Sequence, residues 1–331
     1  MRRVSAKRAR PERFIAYIDI LGFSAATPRL LADATALKSL EDAVHRCILW
    51  AGGGRAISPS PVAEWWWKHF ADSFFLSQPA TTLGLLNLFD VVAAIQRELV
   101  TAGFLSRGGI ARGTITSARH VVVSDAACRA VEIEHLIKLP AVAIDLPVVD
   151  AIVSEPDSFL RRELGEMLAM DTRHGFAFVS PYIFAEDDEW LGGHRFYVQM
   201  QALLAAVLRR GISAGVRCKY QWAAEFHNWN IETARWQHLA HRCEALSEDQ
   251  CWNYRALTVR NVKVPRVFCA LSSEFDRLGT GSAWSRIPVY SLEKDGDQVF
   301  DTDLNPVEFW PRRGGANRAD DRQFGQLPTA E

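Results

Sequence analysis

The chain has 331 residues, room for about two domains at the usual ~150 residues each. Its 48% hydrophobic and 23% charged residues are those of an ordinary folded protein, which excludes a largely disordered chain. Thirty-eight basic against 39 acidic residues leave a formal charge of -1, so no nucleic acid is expected as a partner.

No run approaches the ~18 consecutive apolar residues that a membrane helix needs, so no membrane span is expected. The basic opening MRRVSAKRARPER is not followed by an apolar core with a small-residue cleavage site, and does not read as a secretory signal. Six scattered cysteines then suggest reduced thiols in a cytoplasmic protein.

Taken in order, residues 1–12 form a basic flexible tail. Phe14 to Ile20 is β-branched and aromatic and predicts a buried strand ending at Gly22. Leu30, Leu31, Ala34, Leu37, Leu40, Val44 and Ile48 recur at helical spacing and predict one amphipathic helix from Pro28 to Trp50. The glycines at 52–54 lack a preceding strand and a following Lys-Ser/Thr, and read as a loop, not a phosphate-binding loop.

A second strand runs from Trp65 to Ser77, kinked near Asp72. Thr82 to Ala102 predicts a helix, Phe104 to Ile110 and Gly113 to Val123 two strands, Ala126 to Ile137 a helix and Ala141 to Asp145 a strand. A helix over Asp157 to Ala169, a strand pair over Phe176 to Phe184 and a helix over Gly193 to Arg210 follow. Helices and strands mix without strict βαβ order, which predicts an α+β sheet with helices on one face. The texture changes near residue 229: a larger domain over 13–228 is followed by a small C-terminal α/β domain over 229–311, with strands at Arg260–Leu271 and Ile287–Phe300. Residues 312–331 are polar and read as a disordered tail.

Three segments can carry chemistry. Asp19 ends an apolar strand beside the Leu21-Gly22-Phe23 turn, whose backbone N–H groups can face an anion. Asp72 is a second lone acid in strand-like apolar sequence. Two such aspartates on neighbouring strands repel unless a cation lies between them, and hard oxygen donors suit Mg²⁺ or Mn²⁺; the plainer alternative is that each caps a turn. The third segment is RGGIARG (107–113), in which glycines permit close backbone approach and the arginines can meet phosphate.

YIDILGF (17–23), FADSFFLS (70–77) and RGGIARG, in this order, resemble the class III nucleotidyl cyclases. YIDILGF with FADS and RGGI looks most like the bacterial pyrimidine cyclases of Pycsar antiphage systems, which make cyclic UMP or cyclic CMP. AACRAVEIEHLIKLPAVAID (126–145) is similar to that family's A-x-x-x-A-Y-x-L-E segment, HGFAFV (174–179) to a later strand, and KYQWAAEFHN (219–228) to the end of the catalytic domain. The resemblance covers residues 13–228 and implies a class III cyclase-like sheet with packed helices.

The resemblance also implies that Asp19, Asp72 and the Ile20 carbonyl hold two divalent cations, Mn²⁺ or Mg²⁺, and that Leu21, Gly22 and Phe23 cradle a triphosphate. The implied reaction is in-line attack of the ribose 3′-oxygen on the α-phosphorus of a nucleoside triphosphate, expelling pyrophosphate, in a homodimer with composite sites. UTP, giving cUMP for a separate cyclic-nucleotide-responsive effector, is the expected substrate. Two positions depart from the family. Where its N-x-x-x-R pair stabilises the transition state, this chain has Cys128 and Glu132, leaving Arg129 as the candidate catalytic cation. The base-reading position, four residues before the second metal aspartate, is Lys68, which favours adenine and keeps an adenylate cyclase open, although lysine also donates to a uracil carbonyl. The departures keep open a catalytically inactive, nucleotide-sensing protein of the same fold.

A rival metal site, His238, His241, Cys243 and Cys251, matches no standard zinc spacing and reads as buried rings and thiols.

Overall fold

The computed structural model describes residues 11–51, 66–70, 72–118, 121–182, 193–232, 259–262 and 268–271. Nearly every residue from Phe14 onward in strand β1 (Glu12–Ile20) is buried, on both faces, as a central strand requires. It lies between β3 (Ser73–Pro79) and β4 (Ser106–Ala118), antiparallel to both. Among the described residues the sheet has nine strands, in the order β2-β3-β1-β4-β6-β8-β7-β9, with β5 (Val121–Ser124) paired to the far end of β4. Strands β4 and β6 (Val142–Ile144) are parallel, and helix α4 (Asp125–Ile137) lies in the connection between them, as a parallel crossover demands. The architecture is α+β, as expected.

Several elements differ from expectation. The helix expected over Pro28–Trp50 is two, α1 (Phe23–Ala32) and α2 (Ala34–Ala51). Asp33 between them is extended, and its carboxylate accepts from the Thr35 and Ala36 amides at 2.9 and 3.1 Å, which starts α2 afresh. The kinked strand is the hairpin β2 (Trp66–Phe70) and β3, turning at Asp72. The two strands expected between Phe104 and Val123 are the continuous β4, followed by the short β5.

Helix α5 (Leu146–Val153) was not anticipated. The helix expected to reach Ala169 ends as α6 (Ser158–Glu166), and Leu168–Asp171 is strand β7. Its hairpin partner β8 (Phe176–Val179) replaces the strand pair expected at 176–184. Helix α3 (Thr82–Thr101) and α7 (Gly193–Leu208) fall close to expectation. Helix α8 (Ala214–Glu232) runs across residue 229, and beyond it β9 (Phe268–Ala270) adds to the main sheet beside β7. Asn228 ties the intervening piece down, donating to the Val259 and Val262 carbonyls and accepting from the Val259 amide. The strand expected at 287–300, the 312–331 tail and the rival zinc set lie outside the described residues.

Helices cover both faces of the sheet, not one. Gly109 faces α4, since a Cβ there would run into the Ala130 carbonyl and Ile133. Tyr17 and Asp19 alternate onto that same face. Phe14, Ile18, Phe74 and Leu76 alternate onto the other and are buried there. Helix α3 supplies that cover: it packs on β1, β3 and β8, with α2 and α7 against it, and is buried nearly all round. Each such buried aliphatic or aromatic side chain stabilises the fold by about 1.5–3 kcal/mol. Helix α4 covers β4, β6 and part of β1, and Trp222 and Phe226 lie against Phe178 of β8 on the same face; toward the other edge Tyr17 and Phe75, with ring centroids 4.8 Å apart, are half-buried.

Candidate active site

The strand register brings the two aspartates together. Asp19, at the end of β1, is the partner of Ser73 in β3 on one side and of Arg107 in β4 on the other. Phe70 and Ser73 close the β2–β3 hairpin, so Asp72 occupies its turn, and its carbonyl accepts the Ile20 amide at 2.9 Å. Both carboxylates reach the same hydroxyl: Ser73 Oγ is 3.5 Å from Asp19 Oδ1 and 3.5 Å from Asp72 Oδ1. The Tyr17 hydroxyl is 3.0 Å from that Oγ. Ser73 has one proton to give, so the two acids share a donor that can serve one of them at a time.

Asp19 Oδ2 faces a cation. Arg107 Nε donates to it at 3.0 Å and also lies 2.6 Å from Glu134 Oε1 on α4. Burial raises the Asp19 carboxyl above the ordinary range; the Arg107 hydrogen bond and charge oppose this, the Asp72 charge adds to it, and the net direction is up. Burial likewise raises Tyr17, with help from Asp19, Glu134 and Asp72 and against the Ser73 hydrogen bond. Glu134 is raised by burial and drawn down by Arg107. Lys219 on α8 is lowered by burial and by the like charges of Arg107 and Lys138. A ring of opposite charges thus surrounds the aspartate pair.

The turn after β1 lies beside the aspartate pair. Gly22 is left-handed (φ 78°, ψ 15°), where a side chain would strain the backbone although nothing crowds the space. Its carbonyl accepts the Ala26 amide at 3.0 Å, which starts α1 with no side-chain cap on the first amides. Leu21 is anchored through its amide to the Leu105 carbonyl at 2.9 Å, and Phe23 is the half-buried first residue of α1. Asp19, Ile20, Leu21, Gly22, Phe23 and Asp72 therefore form one locus.

Two candidates lie elsewhere. Lys68 stands in β2 opposite Phe75. Arg129 is more than one helical turn from Glu134 on α4 and is held by Asp145, with Nε to Oδ2 at 3.1 Å and Nη2 to Oδ1 at 3.0 Å, while its Nη1 meets Glu132 at 3.2 Å. That bidentate pair ties α4 to the residue that precedes α5. Arg112, the second arginine of RGGIARG, pairs with Glu12 at the far end of the sheet.

Tyr17, Ser73, Glu134 and Lys219 were not singled out from sequence. Tyr17 and Ser73 carried a usable signal, one lying a strand period before Asp19 and the other next to Asp72. Glu134 and Lys219 lie in segments matched to the family, Glu134 at the glutamate of the A-Y-x-L-E pattern and Lys219 at the start of KYQWAAEFHN, but only the packing of α4 and α8 shows that they reach the site.

Among the described residues no group of three or more His, Cys, Asp or Glu side chains is placed to hold a metal ion. Two carboxylates suffice for Mg²⁺ or Mn²⁺, which keep water and substrate phosphate oxygens as their other ligands. Asp19 and Asp72, whose Oδ1 atoms share one hydroxyl while Arg107 takes only Asp19 Oδ2, fit such a cation. The arrangement can hold a divalent ion beside the free amides of a helix start, which is what binding a polyphosphate needs.

No family model matches this chain, and no curated protein matches it. Among solved structures, the adenylyl cyclase CyaB from P. aeruginosa aligns with 44% of this chain and 81% of its own, at 9% identity and a TM-score of 0.33. The guanylyl cyclase Cya2 aligns with 43% of this chain and 79% of its own, at 12% identity and a TM-score of 0.31. Likenesses this slight carry no part of the functional argument, which rests on the side chains above.

Proposed function

We propose that this chain is a metal-dependent nucleotide cyclase, converting a nucleoside triphosphate to a 3′,5′-cyclic nucleotide and pyrophosphate. The observation that carries the reading is the Asp19–Asp72 pair around Ser73, beside the left-handed Gly22 turn. A divalent cation bound there would supply charge neutralisation at the reacting phosphates and a lowered pKa for the attacking hydroxyl. The chain's own part is positional: Asp19 and Asp72 hold that charge in place, and the first amides of α1 receive phosphate oxygens. The class III motifs at 17–23, 70–77 and 107–113 support the same reading. They extend it to a homodimer with composite sites and, through the Pycsar likeness, to UTP as substrate, cUMP as product and a separate effector that responds to it. Among the described residues no helix is long and apolar enough to cross a membrane.

A purified-protein assay with ATP, GTP, CTP and UTP offered separately in Mn²⁺, products read by mass spectrometry, tests the reading. Cyclic UMP formed by the wild type and lost in Asp72→Ala is expected. Cyclic AMP would keep the cyclase and transfer the base assignment to adenine, as Lys68 suggests. One observation favours a second reading, a nucleotide-binding protein without turnover: Cys128 is exposed and Glu132 is paired to Arg129, so neither position that departs from the family supplies a cation. Nucleotide binding by calorimetry with no pyrophosphate released would establish it.

A further inference from the structure

Glu134 is linked to Asp19 through Arg107, which lies against both carboxylates. It is 2% exposed, and a carboxylate removed from water to that degree needs a charged partner. Arg107 is that partner, at 2.6 Å, and the same Nε is 3.0 Å from Asp19 Oδ2. The Nε–H donates its hydrogen bond to Asp19 on β1, while Glu134 Oε1 on α4 faces the same guanidinium as an ionic partner without a hydrogen bond of its own. The other charges facing this point are the Lys219 and Lys138 ammonium groups and the exposed His135 ring, whose Nε2 is 3.7 Å from Glu134 Oε2.

We propose that Glu134 is a positioning residue for the cation site: by drawing Arg107 toward α4 it limits the guanidinium to Asp19 Oδ2 and leaves Oδ1, with Asp72 Oδ1, to meet a divalent ion. This deepens the cyclase reading and rests on it. Without the Glu134 charge, Arg107 belongs to Asp19 alone, and its positive charge competes with the incoming cation. The loss of one negative charge from the cluster acts in the same direction. Groups that orient a metal ligand from behind typically change affinity about 10- to 100-fold when removed.

The test is Mn²⁺ titration of the full chain without nucleotide, followed by calorimetry and by the EPR signal of free Mn²⁺. Wild type, Asp72→Ala, Glu134→Gln, Arg107→Gln and the Glu134→Gln/Arg107→Gln double variant are compared. Glu134→Gln is expected to weaken Mn²⁺ binding about 10- to 100-fold. Arg107→Gln is expected to raise affinity more in the Glu134→Gln background than it does alone, because only without Glu134 does Arg107 belong wholly to Asp19, and this non-additivity is what a merely structural Glu134 would not produce. Should Glu134→Gln fail to fold, Glu134→Asp keeps the charge while shortening the reach, and a smaller loss of affinity is expected. A folded Glu134 variant that binds Mn²⁺ like the wild type overturns the inference. If the wild type itself binds no Mn²⁺, or Asp72→Ala binds it equally well, the cation site is wrong and the inference fails with it. Mn²⁺ binding lost in Asp72→Ala but intact in the Glu134 variants refutes the inference alone.

Discussion

Asp19 and Asp171 are both buried carboxylates, and they differ in what surrounds them. Asp171, with no exposed surface, accepts from Trp222 Nε1 at 2.7 Å and from the Arg173 and His174 amides at 2.9 and 3.1 Å. His174 Nδ1 lies 2.6 Å away as well. Burial pushes its pKa up, but the hydrogen bonds of His174 and Trp222 and the charges of His174 and Arg173 outweigh it, so the net direction is down. Asp19 has part of one arginine and part of one hydroxyl, and its pKa moves up. The first acid is satisfied by the fold; the second retains capacity for a further positive charge. A folded pKa below the unfolded one stabilises above the ordinary value of 3.8, and that contribution is lost as pH falls through the lower folded value. Asp171→Asn is therefore expected to cost about 3–5 kcal/mol near neutral pH, as breaking a buried ionic contact does. Urea midpoints would show it, with the difference from wild type narrowing below pH 3.8. A difference that stayed constant with pH would rule out a charged Asp171 as its source.

At the scale of elements, the glycines of RGGIARG seat neighbouring backbone. A Cβ on Gly108 would run into the Tyr17 carbonyl of β1, and one on Gly113 into the Asp125 carboxylate at the start of α4. Gly109→Ala would press on the Ala130 carbonyl and Ile133 and lift α4 from β4. The expected cost is about 1–3 kcal/mol of stability, typical of overpacking, with a fall in turnover per folded molecule because Glu134 moves with the helix. Gly103→Ala is the control: its φ is +82° and nothing lies within 4 Å, so backbone strain of about 1–2 kcal/mol is expected without the loss of turnover. Melting curves and turnover on the same preparations separate the two variants; equal turnover in both would remove α4 seating from the account of activity.

These elements also show what was legible in the sequence. Helices α3 and α4 start within a residue of expectation, where Thr81 and Ser124 cap them, accepting the Gly84 and Ala127 amides at 3.1 and 3.2 Å. The split at Asp33 was missed because apolar spacing continues across it. Strand β7 was absorbed into α6 because LAMD suits a helix as well as a buried strand, and only pairing with β8 and β9 decides it. Helix α8 hid because its buried face carries Trp222, His227, Asn228 and Asn230, a mixture with no clean apolar stripe.

For the molecule as a whole, Asp19 was legible as a lone acid ending an apolar strand and Asp72 as one within strand-like sequence, while the Arg107 that pairs with Asp19 comes from β4 and the Glu134 behind it from α4. The site lies beside the part of the sheet face where Tyr17 and Phe75 are half-buried. In the proposed homodimer with composite sites, Lys68 of each chain would serve the other chain's aspartates. Mixing tests this directly. Asp72→Ala and Lys68→Ala, assayed on the wild-type substrate, are each expected to show much reduced turnover. If each site takes its aspartates from one chain and its lysine from the other, a mixed dimer has one site with both lesions and one with neither. Random exchange of equal amounts then leaves about a quarter of all sites intact, and turnover should rise toward that fraction on mixing. No recovery after verified subunit exchange would mean that each site takes its Lys68 and its Asp72 from one and the same chain.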